Sequence, residues 1–293
     1  MTEGIIIKAL SGFYYVEDNG EVIQCRGRGV FRKNKITPLV GDHVVYQAEN
    51  DKEGYIMEVK PRKNELIRPQ VANIDQAFLV FSAKEPEFNP VLLDRFLVLI
   101  EFHQIIPVIC ITKTDLLQEA EFRMLQERLA VYERVGYKVV FLSSHTTEGI
   151  EQFRSMIGSH TSVFAGQSGV GKTSLLNALD PDLELETNEI STHLGRGKHT
   201  TRHVELIPID HGFIADTPGF SSLEFNELAT EDLAWTFPEI RVEGQACKFR
   251  GCSHEKEPKC AVKSAVETGI IDGSRYQHYL QFLGEIKERK PRY

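Results

Sequence analysis

Residues 166–173 read Gly-Gln-Ser-Gly-Val-Gly-Lys-Thr, which has the G-x-x-x-x-G-K-[ST] pattern of a phosphate-binding loop. A strand-like run, 162–165, precedes the loop, and a helix-compatible run, 174–179, follows it. Glycines let backbone N–H groups converge on phosphate oxygens, Lys172 adds a point charge, and the Thr173 hydroxyl can ligate Mg²⁺. The pattern therefore predicts a nucleotide site in an α/β domain. The residues expected to bind the phosphates are Gly166, Gln167, Ser168, Gly169, Val170, Gly171, Lys172, Thr173 and Ser174.

Two segments downstream are typical of nucleotide switches. The strand-like run 212–215 leads into Asp-Thr-Pro-Gly at 216–219, a D-x-x-G motif. Its carboxylate, on Asp216, can hold Mg²⁺ through water, and the Gly219 N–H can meet the γ-phosphate. Between the loop and this motif, the run 197–202 offers a threonine that can close over Mg²⁺; we favour Thr201, with Thr200 second. The predicted Mg²⁺ ligands are Thr173, Thr201 and Asp216.

The choice of base depends on Thr-Lys-Thr-Asp at 112–115, which ends the apolar run 107–111 and resembles the N-K-x-D element with threonine in place of asparagine. Asp115 can accept hydrogen bonds from the N1–H and exocyclic amine of guanine, which adenine cannot offer. Ser-Ser at 143–144 resembles the S-A element whose backbone amide meets the guanine oxygen, although a simple strand-end turn is an alternative. The predicted guanine contacts are Thr112, Lys113, Thr114, Asp115, Ser143 and Ser144.

The order of these motifs indicates a circular permutation. In ordinary GTPases the base-reading elements follow D-x-x-G, whereas here they precede the phosphate loop. Permutation preserves a packed sheet while moving the termini. Apolar runs at 77–81, 107–111 and 139–142 alternate with helical stretches, which favours a mostly parallel sheet with its ligands at the carboxyl ends of the strands.

The N-terminal part predicts a separate all-β domain. Five short alternating segments with no helix between them suggest a small barrel of the OB-fold type: 4–10, 13–17, 22–26, 43–48 and 55–59. An Arg/Lys-rich loop after the third segment fits a groove for single-stranded nucleic acid with stacking aromatics. Against this, several of the aromatics must fill the barrel. These aromatics are Tyr14, Tyr15, Phe31 and Tyr46.

The C-terminal part carries a C-x4-C-x-H-x5-C pattern formed by Cys247, Cys252, His254 and Cys260. Four such ligands in one short segment, in a protein that we expect to lie in a reducing compartment, fit a structural zinc site with four protein ligands. Unrelated core thiols are the alternative, but the charged residues between them are poor core material. Helices at 261–268 and 275–288 complete a mainly α domain. Basic side chains near the pattern can meet RNA phosphates or simply balance thiolate charge: Lys248, Arg250, Lys256 and Lys259.

Length and composition are compatible with these three domains. The chain has 293 residues, with 41% hydrophobic and 26% charged residues, which is ordinary for a soluble globular protein. Its densest apolar run, 96–100, is too short to span a bilayer, and its start lacks a secretory signal, so we expect a cytoplasmic protein without a membrane segment. The net charge of -8 does not exclude nucleic acid, because local segments are basic. The predicted domains are 1–67, 68–222 and 223–293.

Together, these features resemble the RsgA family, also called YjeQ or YloQ, of bacterial circularly permuted GTPases. The resemblance covers the whole chain and includes TKTD, GQSGVGKT, KHTTR, DTPGF and CKFRGCSHEKEPKC. It implies hydrolysis of GTP to GDP, slow alone and stimulated by the small (30S) ribosomal subunit, whose late maturation the family assists. It also implies contact with 16S rRNA near the decoding region, one structural Zn²⁺, and Mg²⁺ with GTP. We expect a monomer.

The residue after Gly219 is Phe220, where Ras-like GTPases place a glutamine that orients the attacking water. Without a side-chain oxygen there, we expect slow intrinsic hydrolysis. His199 is the best internal candidate for a catalytic group, because it titrates and lies beside the switch threonines; an exposed histidine or an RNA contact is the alternative. Two other functions remain open: a P-loop NTPase of another base specificity, and an RNA-binding assembly module whose nucleotide site is only a switch.

Overall fold

The computed structural model describes residues 1–50, 52–67, 70–144, 146–180, 183, 204–216 and 223–289. The first part of the chain closes into a five-stranded barrel in which β1 pairs with both β2 and β4. Every second side chain points into the barrel, where Ile6, Val16 and Val44 are fully buried. The barrel strands are β1 (Thr2–Leu10), β2 (Phe13–Asp18), β3 (Glu21–Gly27), β4 (His43–Ala48) and β5 (Glu53–Val59). The predicted OB-like barrel is confirmed.

One feature of the barrel differs from the expectation of a helix-free segment. A short helix, α1 (Gly29–Lys33), lies in the basic loop after β3. Its Phe31 is only 6% exposed and packs into the barrel core. A five-residue helix with one buried side chain is too short to produce a helical period in the sequence, which is why the pattern did not indicate it.

The central domain is a mostly parallel sheet with strand order β10-β9-β8-β11-β13-β12. Every residue of β8 and β11 is buried, as expected of parallel strands that helices cover on both faces. β12 runs antiparallel to β13. A two-stranded ladder, β6 (Glu65–Leu66) and β7 (Val71–Ala72), precedes the sheet. The sheet strands are β8 (Gln76–Ser82), β9 (Ile106–Thr112), β10 (Lys138–Phe141), β11 (Thr161–Ala165), β12 (Glu205–Ile209) and β13 (Gly212–Asp216).

Four helices alternate with the strands of this sheet. The first has a side-chain cap: the Asn89 side chain accepts a hydrogen bond from the Leu92 N–H at 3.1 Å, and Pro90 occupies the first turn. The next ends at Gly136, which has a positive φ of 107°. These helices are α2 (Pro90–Phe102), α3 (Glu119–Val135), α4 (Thr147–Ile157) and α5 (Lys172–Leu179).

The barrel and the central sheet are continuous. β12 pairs with β1 through Lys8 and Glu205, and the Lys8 Nζ lies 2.7 Å from a Glu205 carboxylate oxygen. Together the two parts form one eleven-stranded sheet. No local sequence pattern indicated this junction.

The C-terminal domain is mainly helical and is attached to the central domain through α2. Its helices are α6 (Thr230–Leu233), α7 (Pro238–Gly244), α8 (Ala261–Glu267) and α9 (Gly273–Glu288). One face of α2 packs on the central sheet, whereas Val98 enters the C-terminal core. Arg275 of α9 is 1% exposed and pairs with Asp94 of α2 and with Glu239 of α7. Because a buried guanidinium is tolerated only when it is paired, this cluster fixes α9 against α2.

Candidate functional site

The predicted phosphate-binding loop lies at the carboxyl end of β11 and leads into α5. Gly166, Gly169 and Gly171 have positive φ angles of 145°, 79° and 97°. A Cβ on Gly166 would lie 2.2 Å from the carbonyl oxygen of Val80 in β8. The loop therefore approaches this strand so closely that only glycine, which has no Cβ, fits at position 166. The first turn of α5 then directs its backbone N–H groups toward the edge of the sheet, where an anion is stabilised.

The ammonium group of Lys172 lies inside this loop. Its Nζ donates hydrogen bonds to the carbonyl oxygens of Gly166, at 2.8 Å, and Gln167, at 2.6 Å. Burial disfavours the charged form and lowers the pKa of Lys172 to about 8. The neighbouring Thr173 is also buried. A phosphate bound here would meet a concentrated positive charge in a poorly solvated position.

The threonine of the base-reading motif bonds to the phosphate loop. Thr112 ends β9 and is 3% exposed, with its hydroxyl oxygen 2.5 Å from the Val170 carbonyl oxygen and 3.1 Å from that of Phe81. The hydroxyl therefore donates to a backbone oxygen of the loop or of β8. Thr112 thus connects two motifs that are 58 residues apart in the sequence.

Lys113 makes a second connection. It adopts a left-handed backbone conformation, with φ at 58°, and its Nζ lies 2.8 Å from the Gly169 carbonyl oxygen and 2.5 Å from that of Glu85. Its ammonium therefore bridges the phosphate loop and the segment after β8. The sequence indicated neither this bridge nor the part of Glu85, since a backbone carbonyl leaves no residue-type signal.

The remaining base-reading residues lie beside these two. Thr114 and Asp115 form a 3-10 turn in which the Thr114 hydroxyl donates to the Leu142 carbonyl oxygen at 3.1 Å. Leu142 directly precedes Ser143, which is buried, and Ser144. The Asp115 side chain is exposed. The structure therefore brings residues 112–115, 143–144 and 166–174 together at the carboxyl edge of the sheet.

The switch residues are only partly described. Asp216 is the last residue of β13, whose neighbour in the sheet is β11, so its backbone lies at the same edge as the phosphate loop. His199, Thr200 and Thr201 lie outside the described residues, as do Gly219 and Phe220. Their roles stay predictions.

The four predicted zinc ligands converge in the C-terminal domain. The Sγ atoms of Cys247 and Cys252 each lie 3.8 Å from that of Cys260, and the His254 Nδ1 lies 3.6 Å from Cys247 Sγ and 3.4 Å from Cys260 Sγ. Zn–S bonds of about 2.3 Å and Zn–N bonds of about 2.0–2.1 Å place the ligands of a tetrahedral ion about 3.8 Å and 3.6 Å apart. The ligand atoms, all within 4.8 Å of one another, therefore fit a single ion.

Residues that the spacing did not indicate hold this cluster. Tyr276 and Tyr279, which lie three residues apart on α9, donate their hydroxyls to the carbonyl oxygens of His254, at 2.6 Å, and Ser253, at 2.7 Å. Glu257 accepts hydrogen bonds from the Ser253 N–H and hydroxyl. Partial burial opposes its charge, but these and neighbouring backbone donors outweigh burial and lower the pKa of Glu257 to about 2. The spacing of the two tyrosines, three residues apart in a predicted helix, could have indicated that both side chains lie on the same helix face.

The surface of the barrel carries the predicted positive charge. Arg28, Lys33 and Lys35 are exposed around α1, and the Arg26 guanidinium lies 5.1 Å from the centre of the Phe13 ring. Of the four aromatics considered for stacking, Phe31 and Tyr46 are buried, whereas Tyr14 and Tyr15 are half-buried. Only the latter two therefore remain as candidates for base stacking.

Comparisons with known proteins agree with this architecture. The family model for the RsgA GTPase matches residues 59–226, and the RsgA N-terminal domain matches residues 3–56. Curated proteins called small ribosomal subunit biogenesis GTPase RsgA are 64% identical in Bacillus cytotoxicus and 62% identical in Bacillus subtilis, with full coverage of both chains. No helix among the described residues is long and apolar enough to cross a membrane.

Two solved structures match nearly the whole chain. YloQ, described as a circularly permuted GTPase, has 56% sequence identity and a TM-score of 0.86, and the match covers 100% of this chain and 97% of that one. YjeQ from Thermotoga maritima has 39% identity and a TM-score of 0.87, with 98% and 99% covered.

Proposed function

This chain belongs to the RsgA family of GTPases, and from that premise we propose that its hydrolysis of GTP to GDP assists late maturation of the small ribosomal subunit. The observation that carries the proposal is the hydrogen-bonded junction of base-reading and phosphate-binding segments through Thr112 and Lys113. A nucleotide that spans this junction presents guanine to Asp115 and its phosphates to the loop. We take the small ribosomal subunit as the partner because the curated relatives are named for the biogenesis of that subunit.

We propose the following division of roles within the nucleotide site. The guanine contacts are residues 112–115 with Ser143 and Ser144, and the phosphate contacts are residues 166–174 with Gly219. Thr173, Thr201 and Asp216 hold Mg²⁺, which neutralises charge on the β- and γ-phosphates when bound. Lys172 supplies the adjacent positive charge, and the loop N–H groups orient the phosphates for attack by water.

The chemical step needs a group that orients the attacking water, which comes either from a switch segment of this chain or from its partner. Phe220 cannot orient water, so intrinsic turnover is slow and the subunit stimulates it. His199 is the proposed water-activating residue. To test this, turnover with small subunits is measured for His199→Ala beside His211→Ala, a change to an exposed histidine in the turn between β12 and β13. Equal stimulated rates in the two variants would remove the catalytic role of His199.

The proposed partner surfaces lie outside the nucleotide site. The exposed basic residues of the barrel contact 16S rRNA phosphates, and the cysteine–histidine cluster holds one structural Zn²⁺, which shapes the adjacent basic loop. We propose domains at 1–67, 68–222 and 223–293, and a monomer that acts in the cytoplasm. Loss of 30S binding after charge reversal of Arg28 and Lys35, with unchanged GTP binding, is the expected result.

The decisive experiment compares GTP turnover of the full chain alone, with purified small subunits, and with large subunits. We expect stimulation by small subunits only, and no stimulation would contradict the proposal.

Base specificity has its own test. Asp115→Asn replaces a carboxylate, which has two acceptor oxygens, with an amide, and this change should favour xanthosine triphosphate over guanosine triphosphate. Glu119→Gln, a change to another exposed acid nearby, is the control.

A further inference from the structure

Arg95 of α2 contacts three kinds of chemical group in the C-terminal domain. Its Nη2 lies 2.6 Å from both carboxylate oxygens of Glu285 in α9. Its Nη1 donates to the Leu223 carbonyl oxygen at 3.3 Å. The guanidinium carbon also lies 4.7 Å from the centres of the Phe225 and Phe282 rings. A single side chain therefore binds a carboxylate, a backbone carbonyl and two aromatic faces.

The position of Leu223 in the chain gives this contact its significance. Leu223 follows the D-x-x-G motif, with only residues 217–222 between it and Asp216. Asp216 ends β13, which the ladder to β11 and β12 fixes in the central sheet. Arg95 belongs to α2, which packs on the same sheet. Both ends of this short connection are therefore fixed to the GTPase domain, one by a strand and the other by Arg95.

The same contact also reaches the C-terminal domain. Glu285 and Phe282 belong to α9, and the adjacent α2 residue, Asp94, pairs with Arg275 on that helix. Arginine suits this position because its planar fork can bond a carboxylate with one pair of N–H groups while its face lies against aromatic rings. The Arg95 side chain is 18% exposed, whereas that of Glu285 is 39% exposed. A displacement of α9 would therefore act on the carbonyl of Leu223 through Arg95.

We propose that Arg95 is a positioning residue for partner-stimulated GTP hydrolysis. It holds Leu223, which follows the D-x-x-G motif in the chain, in a fixed position relative to α9. When a small subunit docks on the C-terminal domain, the effect is transmitted to the nucleotide site through the Arg95 side chain. The inference rests on the proposed function, since it requires a partner that stimulates turnover.

The test compares Arg95→Ala with Arg241→Ala in the full chain. Arg241 is a matched control because its guanidinium also bonds a backbone carbonyl, that of Trp235, at 3.3 Å, lies 4.6 Å from an aromatic ring, and has a carboxylate, Glu101, at 3.7 Å. The measured quantity is the ratio of turnover with purified small subunits to turnover without them. Arg95→Ala should lower this ratio roughly tenfold or more, because a small misplacement of a reacting group has effects of that size. Arg241→Ala should leave it within about twofold.

A second readout separates positioning from a loss of docking. The maximal stimulated rate should fall in Arg95→Ala while the subunit concentration that gives half-maximal stimulation stays unchanged. Arg95→Lys should recover only part of the rate, since the one nitrogen of an ammonium that bonds Glu285 cannot also reach Leu223, which Arg95 bonds through its other terminal nitrogen. Zinc content and melting temperature establish that each variant is folded.

The outcomes are distinct. If the unmodified protein is not stimulated by small subunits, the proposed function and this inference both fall. If the unmodified protein is stimulated and Arg95→Ala keeps the same ratio, only the role of Arg95 is overturned. Should Arg95→Ala fail to fold, Glu285→Gln decides: it keeps the side-chain size but removes the charge, and an unchanged ratio in that variant overturns the inference.

Discussion

The cysteine–histidine cluster and the phosphate loop are constructed in opposite ways. The four candidate metal ligands lie within a short segment whose outermost members, Cys247 and Cys260, are 13 residues apart. The phosphate loop is also short, but residues far away in the sequence hold its shape: Val80 approaches it, and Thr112 and Lys113 bond to it. All four ligands of the first site therefore come from one segment, which α9 supports through Tyr276 and Tyr279, whereas the second site exists only when the central sheet has formed.

The largest effect that can test this comparison is loss of the metal. Cys260→Ala leaves three ligands, and because structural zinc contributes about 10–16 kcal/mol of folding free energy in small domains, we expect metal loss and unfolding of the C-terminal domain. GTP binding should persist. Metal analysis, thermal unfolding and GTP titration measure these effects, with Cys25→Ala, a buried barrel thiol, as control. Retention of a full equivalent of zinc by Cys260→Ala would contradict the proposed ligand set.

The next effect concerns the approach of β8 to the loop. Gly166→Ala forces a Cβ against the Val80 carbonyl oxygen at a positive φ, and we expect a loss of about 3 kcal/mol in the free energy of unfolding. Gly12→Ala is the control, because Gly12 also has a positive φ, 84°, but open space around it. Urea unfolding compares the two. Similar losses in both variants would show that the close approach contributes nothing.

Lys172→Ala should act on binding rather than on folding. Charge-assisted hydrogen bonds contribute about 1.5–3 kcal/mol, so GTP affinity should fall roughly 10- to 150-fold. The free energy of unfolding should change little, because the variant also removes the cost of desolvating an ammonium. Titration with a fluorescent GTP analogue measures affinity, with Lys138→Ala, an exposed lysine of β10, as control. An affinity equal to that of the control would exclude Lys172 from the phosphate site.

A smaller effect should appear in the pH dependence of GTP binding. Desolvation lowers the pKa of Lys172 to about 8, and bound phosphates would raise it by stabilising the ammonium. Binding therefore takes up a proton above pH 8, and affinity should fall up to about tenfold between pH 7 and pH 9. Lys172→Ala lacks the titrating group and serves as control for titration of guanine itself. Identical pH profiles for the two proteins would mean that Lys172 is not responsible.

The smallest expected effect tests the link between the two nucleotide motifs. Thr112→Val keeps the shape of the side chain but removes the donor to the Val170 carbonyl oxygen, at a cost of about 1 kcal/mol, which corresponds to roughly fivefold weaker GTP binding. Thr112→Ser keeps the hydroxyl and should bind nearly as well as the unmodified protein. If Thr112→Val binds GTP as tightly as the unmodified protein, the hydrogen bond contributes nothing to binding.

Sequence periodicity and spacing predicted the parts of the molecule whose determinants are local. The alternation of residues such as Ile6 and Val16 indicated barrel strands, and the spacing of four ligands placed the metal cluster. The continuous apolar runs of β8, β9 and β10 indicated parallel strands. Each of these patterns lies within a few turns or strands of the chain, so one segment carries the whole signal.

The contacts that could not be predicted are those between distant segments. Three examples depend on how segments far apart in the sequence pack together. They are the hydrogen bond of Thr112 to Val170, the ion pair of Arg275 with Asp94, and the hydrogen bond of Arg95 to Leu223. Helix α1 was not predicted for another reason: its five residues are too few to show a hydrophobic period. The motif predicts guanine contacts for Asp115 and Lys113, but the hydrogen bonds of Lys113 to backbone carbonyls have no signal in the sequence.

The pairing of β1 with β12 has a consequence for the order in which the chain is synthesised and folded. Lys8 and Glu205, which join the barrel to the central sheet, are separated by 197 residues. During translation the N-terminal barrel can close early, because its strands are near neighbours in sequence, but the outer edge of β1 at Lys8 has no partner until β12 has left the ribosome. An open strand edge invites pairing with other chains, and a lysine on the edge is one of the features by which proteins oppose such pairing. Lys8 therefore combines two properties: it carries a charge on the edge of β1 before β12 is available and joins the two domains afterwards.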